Sequence, residues 1–185
     1  YIVRFTGNFL INEKLDDKLA EYLERFYNTR HVKRNIEKTK QMYPNWKEFC
    51  FRNRIGEDGE YFANGEKFLE KDDDIISYRV PPGIQPSILC PWRIDEFHKA
   101  IIWDGKENLI PIEEHAQWLQ YLIENFLSPC GYIVNGSVTY KTRIFYSERE
   151  EAVRSGKITI TDNVIDVNYV KEMNKVFDSG YKVVT

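Results

Sequence analysis

The chain has 185 residues, 42% of them hydrophobic and 15% aromatic, enough to bury a core and too many for global disorder. Its formal net charge of −3 is mild, and no apolar run approaches the roughly 18 residues of a membrane-spanning helix. Cys50, Cys90 and Cys130 are odd in number and widely spaced, which argues against a disulfide framework. With no visible signal peptide, they read as reduced thiols of a cytoplasmic protein.

From the amino end, residues 1–5 alternate as a strand with Val3 and Phe5 on one side. Gly7-Asn8 is expected to break or bend it, and 9–11 to continue it. Asn12 reads as the N-cap of a helix over 13–28, with Asp16 as the alternative cap about one turn later. Leu15, Leu19, Leu23 and Phe26 or Tyr27 make its apolar stripe. A second helix is expected over 30–42, with few apolar positions and with Arg30, Lys33, Arg34, Lys38 and Lys40 over the rest of its surface. Residues 46–54 mix Trp46, Phe49 and Phe51 with Lys47, Arg52 and Arg54. Residues 56–74 read as irregular, with a short strand at 60–63, and 75–80 as a strand stopped by Pro81-Pro82-Gly83. Segments 86–94 and 100–103 read as a strand pair.

The clearest helix spans 112–127, with Leu119, Leu122, Ile123, Phe126 and Leu127 at helical spacing and Glu113 and Glu114 in its first turn. Pro129 stops it. The period then changes to two, and Asn135-Gly136 predicts a hairpin turn between 131–134 and a strand from 137 to 146. Residues 147–156 read as a charged connection, and 157–167 as a second hairpin turning at Asp162-Asn163. A short helix over 169–177 and a last strand over 181–184 complete the pattern. The fold class is α+β: an antiparallel sheet built from hairpins packed against a central amphipathic helix, with an N-terminal helical pair. Residues 1–185 form one domain, within which 12–54 is a helical basic lobe.

The functional lead is a local charge imbalance. Residues 25–54 hold nine basic side chains against Glu37 and Glu48, a net +7, so the remainder carries −10. Arg30, Lys33, Arg34, Lys38, Lys40, Trp46, Lys47, Arg52 and Arg54 are the candidate contacts to nucleic acid or to a partner: cations neutralise phosphates, and interleaved aromatics stack on bases or support the cations. The plainer reading is a solvated helix whose charges pair internally. Asp72-Asp73-Asp74 lacks the spacing of a calcium loop and reads as a polar loop before a strand. His31, His98 and His115 make no metal-binding spacing with the cysteines, and no phosphate-binding or nucleophile motif occurs. No metal and no cofactor is therefore expected. A Cys–His pair distant in sequence stays open, with Cys130 and His115 as its members.

The segment from Trp118 to Tyr140, WLQYLIENFLSPCGYIVNGSVTY, followed by GKITITDNVIDV, resembles small proteins carried by phages and mobile elements of gut Firmicutes. These include anti-CRISPR inhibitors of type II effector nucleases. The likeness covers roughly 85–167 and brings no catalytic residues with it. It implies a non-enzymatic inhibitor in the bacterial cytoplasm that binds the CRISPR effector nuclease, with nucleic acid as a further contact through the basic helix. The alternatives are an enzyme acting on nucleic acid or nucleotides and a DNA-binding accessory protein using the first two helices.

Overall fold

The computed structural model describes residues 2–68, 71–106, 110–145 and 150–176. Among the described residues eight strands and three α-helices form an α+β fold with a six-stranded sheet in the order β4-β5-β1-β6-β7-β8 and a separate β2-β3 pair. The strands are β1 (Ile2–Ile11), β2 (Lys33–Arg34), β3 (Ile75–Ser77), β4 (Trp92–Ile94), β5 (Ala100–Trp103), β6 (Val134–Phe145), β7 (Glu150–Thr161) and β8 (Val164–Val176). The helices are α1 (Asp17–Tyr27), α2 (Ile36–Met42) and α3 (Ile112–Leu122).

Alternation along the strands decides which face of the sheet is covered. Val3, Phe5, Phe9 and Ile11 of β1, Val134, Val138 and Tyr140 of β6, and Ile158 and Ile160 of β7 are buried with apolar residues of α1 and α3 in one core. Their sequence neighbours face solvent. Beyond Leu122 the helix widens into a π-turn, Ile123–Leu127, and closes with a 3-10 turn, Ser128–Cys130. Gly131, in the left-handed region at φ 84, supplies the stop.

Several local expectations are corrected. Gly7 does not interrupt β1: it stays paired with Val138, at a φ of 110 that glycine tolerates and other residues rarely adopt. Asn135-Gly136 makes no turn. Both residues lie inside β6, paired with Leu10 and Phe9, and Gly136 is glycine because a Cβ there would come within 3.2 Å of the Phe9 backbone. The Asn135 side chain instead holds the neighbouring turn, accepting from Asp162 N–H at 2.8 Å and donating to the Asp162 carboxylate at 3.2 Å. That turn, at Asp162 and Asn163, has φ of 48 and 69, as a two-residue hairpin requires.

Of the connection expected over 147–156, residues 150–156 are strand, and of the helix expected over 169–177, residues 169–176 are strand paired with β7; the remaining positions lie outside the described residues. Cross-strand hydrogen bonding outweighs the local helical pattern there. The strands expected over 75–80 and 86–94 shorten to β3 and β4, and 60–63 contributes a single bridge, Cys50 to Phe62. The expected strand at 181–184 lies outside the described residues.

The first helix starts at the later of its two caps: Asp16 accepts from Lys18 and Leu19 N–H at 3.0 and 3.3 Å. The second is about half the expected length. Asn35 caps α2 through Lys38 N–H at 3.1 Å, while Lys33 and Arg34 are extended in β2 and Arg30 precedes both elements.

Residues around α2 gather on a small core of their own, made by Cys50, Ile55 and Phe62 with Ile36, Tyr43, Trp46 and Phe49 packed against it. Phe51 and Tyr61 join this lobe to the main core, meeting the Phe126 ring at centroid distances of 5.2 and 6.1 Å.

Candidate partner-binding surface

The nine basic-window residues do not form one face, because the second helix starts six residues later than expected. Arg34 is 2% exposed, and its guanidinium meets the Asp74 carboxylate at 2.6 Å. Thr39 donates its hydroxyl to the same carboxylate oxygen at 2.7 Å. The Arg34 guanidinium also lies 4.9 Å from the centre of the Phe62 ring. Arg34 is thus an internal strut between β2 and the turn before β3. Asp74, expected in a polar loop before a strand, is its buried partner. Arg30 donates to the Tyr78 carbonyl at 3.3 Å, and Lys33 pairs with Asp58 at 3.2 Å. These three cations stitch the lobe together.

The outward-facing cations fall into two places. Lys40 and Lys47 hold their ammonium groups 5.4 and 5.8 Å from the centre of the Trp46 indole. Proximity comes from the turn at Pro44-Asn45, which brings the 3-10 turn Trp46–Phe49 back beside the end of α2. Lys38 is exposed on the same helix, its ammonium 3.5 Å from the Asp73 carbonyl. On the other side, Arg52 (φ 50) donates to the Pro129 carbonyl at 3.2 Å and reaches the Cys130 sulfur at 3.3 Å. Arg54 lies over the Tyr61 ring at 5.2 Å. Among the described residues Trp46 is the ring that two cations share, Lys40 and Lys47, an arrangement suited to stacking on a planar or anionic group.

The titratable groups that chemistry would need are dispersed. The His115 ring sits 4.9 Å from Phe5 with Nδ1 2.9 Å from the Pro111 carbonyl, and burial pushes its pKa down to about 4. His31 packs 4.2 Å from Phe26, and burial lowers it to about 3. Both are neutral core aromatics at pH 7. Burial raises the Cys50 and Cys90 thiols to about 12, the reverse of nucleophile activation. Cys130 is half-buried beside Arg52, fifteen residues along the chain from His115; at the rise of an α-helix that is roughly 20 Å. The structure does not bring the Cys–His pair together. Among the described residues no group of three or more His, Cys, Asp and Glu side chains fits a metal ion, and no helix is long and apolar enough to cross a membrane.

One cluster has no sequence signature. The Lys67 ammonium lies 3.6 Å from the centre of the Tyr27 ring, and Tyr27 donates to Asp104 at 3.4 Å. Burial lowers the lysine, raises the carboxyl and lifts the phenol to about 12. Cys90 below is 2% exposed and donates to the Trp92 carbonyl. The members come from α1, the 64–68 segment and the turn after β5, joined only by the fold. Their arrangement is a desolvated cation on an aromatic face beside a carboxylate, which holds three segments together and presents no open nucleophile.

A second feature missed by the sequence reading is the uncovered face of the sheet. The outward residues of β6 are Asn135, Ser137, Thr139, Lys141 and Arg143, an unbroken polar alternation hidden by reading Asn135-Gly136 as a turn. No protein-family model, curated protein or solved structure matches this chain.

Proposed function

We propose that the protein acts by stoichiometric binding, and that the likeness to mobile-element proteins indicates its partner: a type II CRISPR effector nuclease of the bacterial cytoplasm. In this reading the hairpins backed by the central helix are the scaffold, and the N-terminal helical lobe carries the contact. The observation that supports it is the Lys40–Trp46–Lys47 patch, two ammonium groups on one partly exposed indole. Cations held against an aromatic plane are suited to an anionic or planar surface of a protein or nucleoprotein partner. Dispersal of the histidines and cysteines into the core favours binding over catalysis in the same direction.

The test is a cleavage assay in which purified protein is titrated against the effector–guide complex. Inhibition should reach completion near equimolar protein, and Trp46→Ala with Lys47→Glu should weaken it at least about 10-fold, as loss of a central aromatic anchor does. Inactivation far below equimolar protein would identify turnover and overturn the binding reading. Inertness at large excess would remove the nuclease as partner.

A further inference from the structure

We propose that the open edge of β4 takes up an extended, lysine- or arginine-rich segment of a partner protein as an added strand, with its cations set against α1. This site is separate from the Lys40–Trp46–Lys47 patch and does not depend on it.

β4 is the outermost strand on its side of the sheet, and a groove of about 760 Å³ lies between it and α1. The pairing of β4 fixes which backbone groups face away from the sheet. Asp95 N–H donates to the Ala100 carbonyl at 2.9 Å, and Asp104 N–H to the Pro91 carbonyl at 3.1 Å. Odd-numbered positions of β4 therefore bond to β5, and the N–H and carbonyl of Ile94, a lining residue of the groove, point to the open edge. Among the described residues neither group has a hydrogen-bond partner. An edge residue with both groups unpaired is a template for one more strand, which identifies the occupant as extended chain.

Charge selects the sequence of that chain. Asp17, Glu21 and Glu24 recur at helical spacing on the exposed side of α1, and Asp95 and Glu96 line the same groove. Against these five carboxylates stand Arg25 and Arg93, a net charge of −3; the neighbouring Lys14, Lys18 and Lys99 do not line the groove. Internal pairs do not use the carboxylates up. Asp17 meets Lys14 at 3.4 Å and His98 at 3.9 Å through one and the same oxygen, and Glu21 meets Arg25 at 3.3 Å through one. Glu24 and Asp95 likewise accept through a single oxygen each. Asp17 to Glu24 spans about 10 Å of α1, the length of three residues of extended chain, so side chains at alternate positions of an added strand meet this stripe. Ile94 is buried on the α1 side of β4, while Arg93 is exposed on the opposite one. Cations are thus favoured at every second position and disfavoured between, a pattern that neither a polyamine nor an anionic partner supplies.

The test is anisotropy of a labelled peptide in which three lysines alternate with threonine, compared with a block peptide of the same composition. The alternating peptide should bind at least about 5-fold more tightly, and its analogue with glutamate for lysine should not bind. An antiparallel strand, the orientation of every pair in this sheet, points the N–H of a lysine opposite Ile94 at the Ile94 carbonyl. Methylating the backbone nitrogen of the central lysine should therefore weaken binding about 5-fold, and methylating that of the next threonine should not. Glu21→Gln with Glu24→Gln should weaken it roughly 5-fold at an unchanged melting temperature. Trp46→Ala with Lys47→Glu should leave peptide binding as it is, which separates this site from the patch proposed above. Equal affinity of the alternating and block peptides would overturn the assignment, as would unchanged affinity in the Glu21→Gln, Glu24→Gln variant. Indifference to both methylations, read on the unaltered protein, would overturn it too.

Discussion

The main body and the lobe around α2 are held by different physics. In the body, large apolar rings interlock: Phe126 meets Tyr22, Phe26, Phe51, Tyr61 and Tyr121 at centroid distances of 5.0 to 6.1 Å. In the lobe only Cys50, Ile55 and Phe62 form the buried centre, and shape is fixed by polar links: Arg34 to Asp74, Thr39 to Asp74 and Lys33 to Asp58. Apolar packing tolerates small adjustments, whereas a buried charge tolerates no missing partner. The candidate patch therefore stands on the less forgiving half of the molecule.

Acid is the largest expected perturbation and strikes where the halves meet. His115 underlies β1, and His31 lies where the chain leaves α1 for the lobe. Their folded pKa values, about 4 and about 3, are below the ordinary value near 6.5, so the unfolded chain binds the protons first. Stability is intact above pH 6.5 and falls as pH drops, by roughly 2.7 kcal/mol per unit once both contribute and on the order of 6 kcal/mol in all by pH 4. Denaturant midpoints across pH 7 to about 4 check this; a flat profile would mean that neither imidazole is sealed.

Phe126→Ala should come next, at about 3–5 kcal/mol, because it opens a cavity at the junction of the two halves. Calorimetry should then show one cooperative transition at lower temperature, or a split in which the lobe melts first. Leu122→Ala, in the body alone, should cost roughly 2–5 kcal/mol with no split. Arg34→Met should cost about 3 kcal/mol by stranding Asp74, and Arg34→Met with Asp74→Leu should recover most of it. If the double variant is no better than the single one, the lobe depends on the ion pair as more than a matched charge. Asp16→Ala should lower stability by about 1 kcal/mol through the lost α1 cap, readable as a shift of a few degrees in Tm.

How much of this was legible in the sequence divides along the same line. The helix at 112–122 and its extension to Leu127 follow from apolar spacing, and the antiparallel α+β class from the balance of periodic segments. The lobe was misread because five basic side chains near helical spacing resemble a solvated helix. Nothing local marks Arg34 as the one that turns inward, since its partner is forty residues away. Asn135-Gly136 was misread for a related reason: glycine serves a hairpin turn and a close strand approach equally well, and only β1 at its other side distinguishes them. The polar alternation of the uncovered face was present throughout, in Arg4-Phe5-Thr6 and in Ser137-Val138-Thr139-Tyr140-Lys141.

The central position of β1 also constrains how the chain is made. Its ten residues pair with β5 on one side and with Val134 to Arg143 of β6 on the other, about 130 residues later in synthesis. At roughly 5–20 residues per second, the ribosome takes on the order of 10 s to supply β6 after β1 has emerged. During that interval Val3, Phe5, Phe9 and Ile11 have no finished sheet to enter, and their strand edge is open to other chains. Closure of so long a loop is entropically slow, so the final assembly of the sheet is a late event that awaits the carboxyl half.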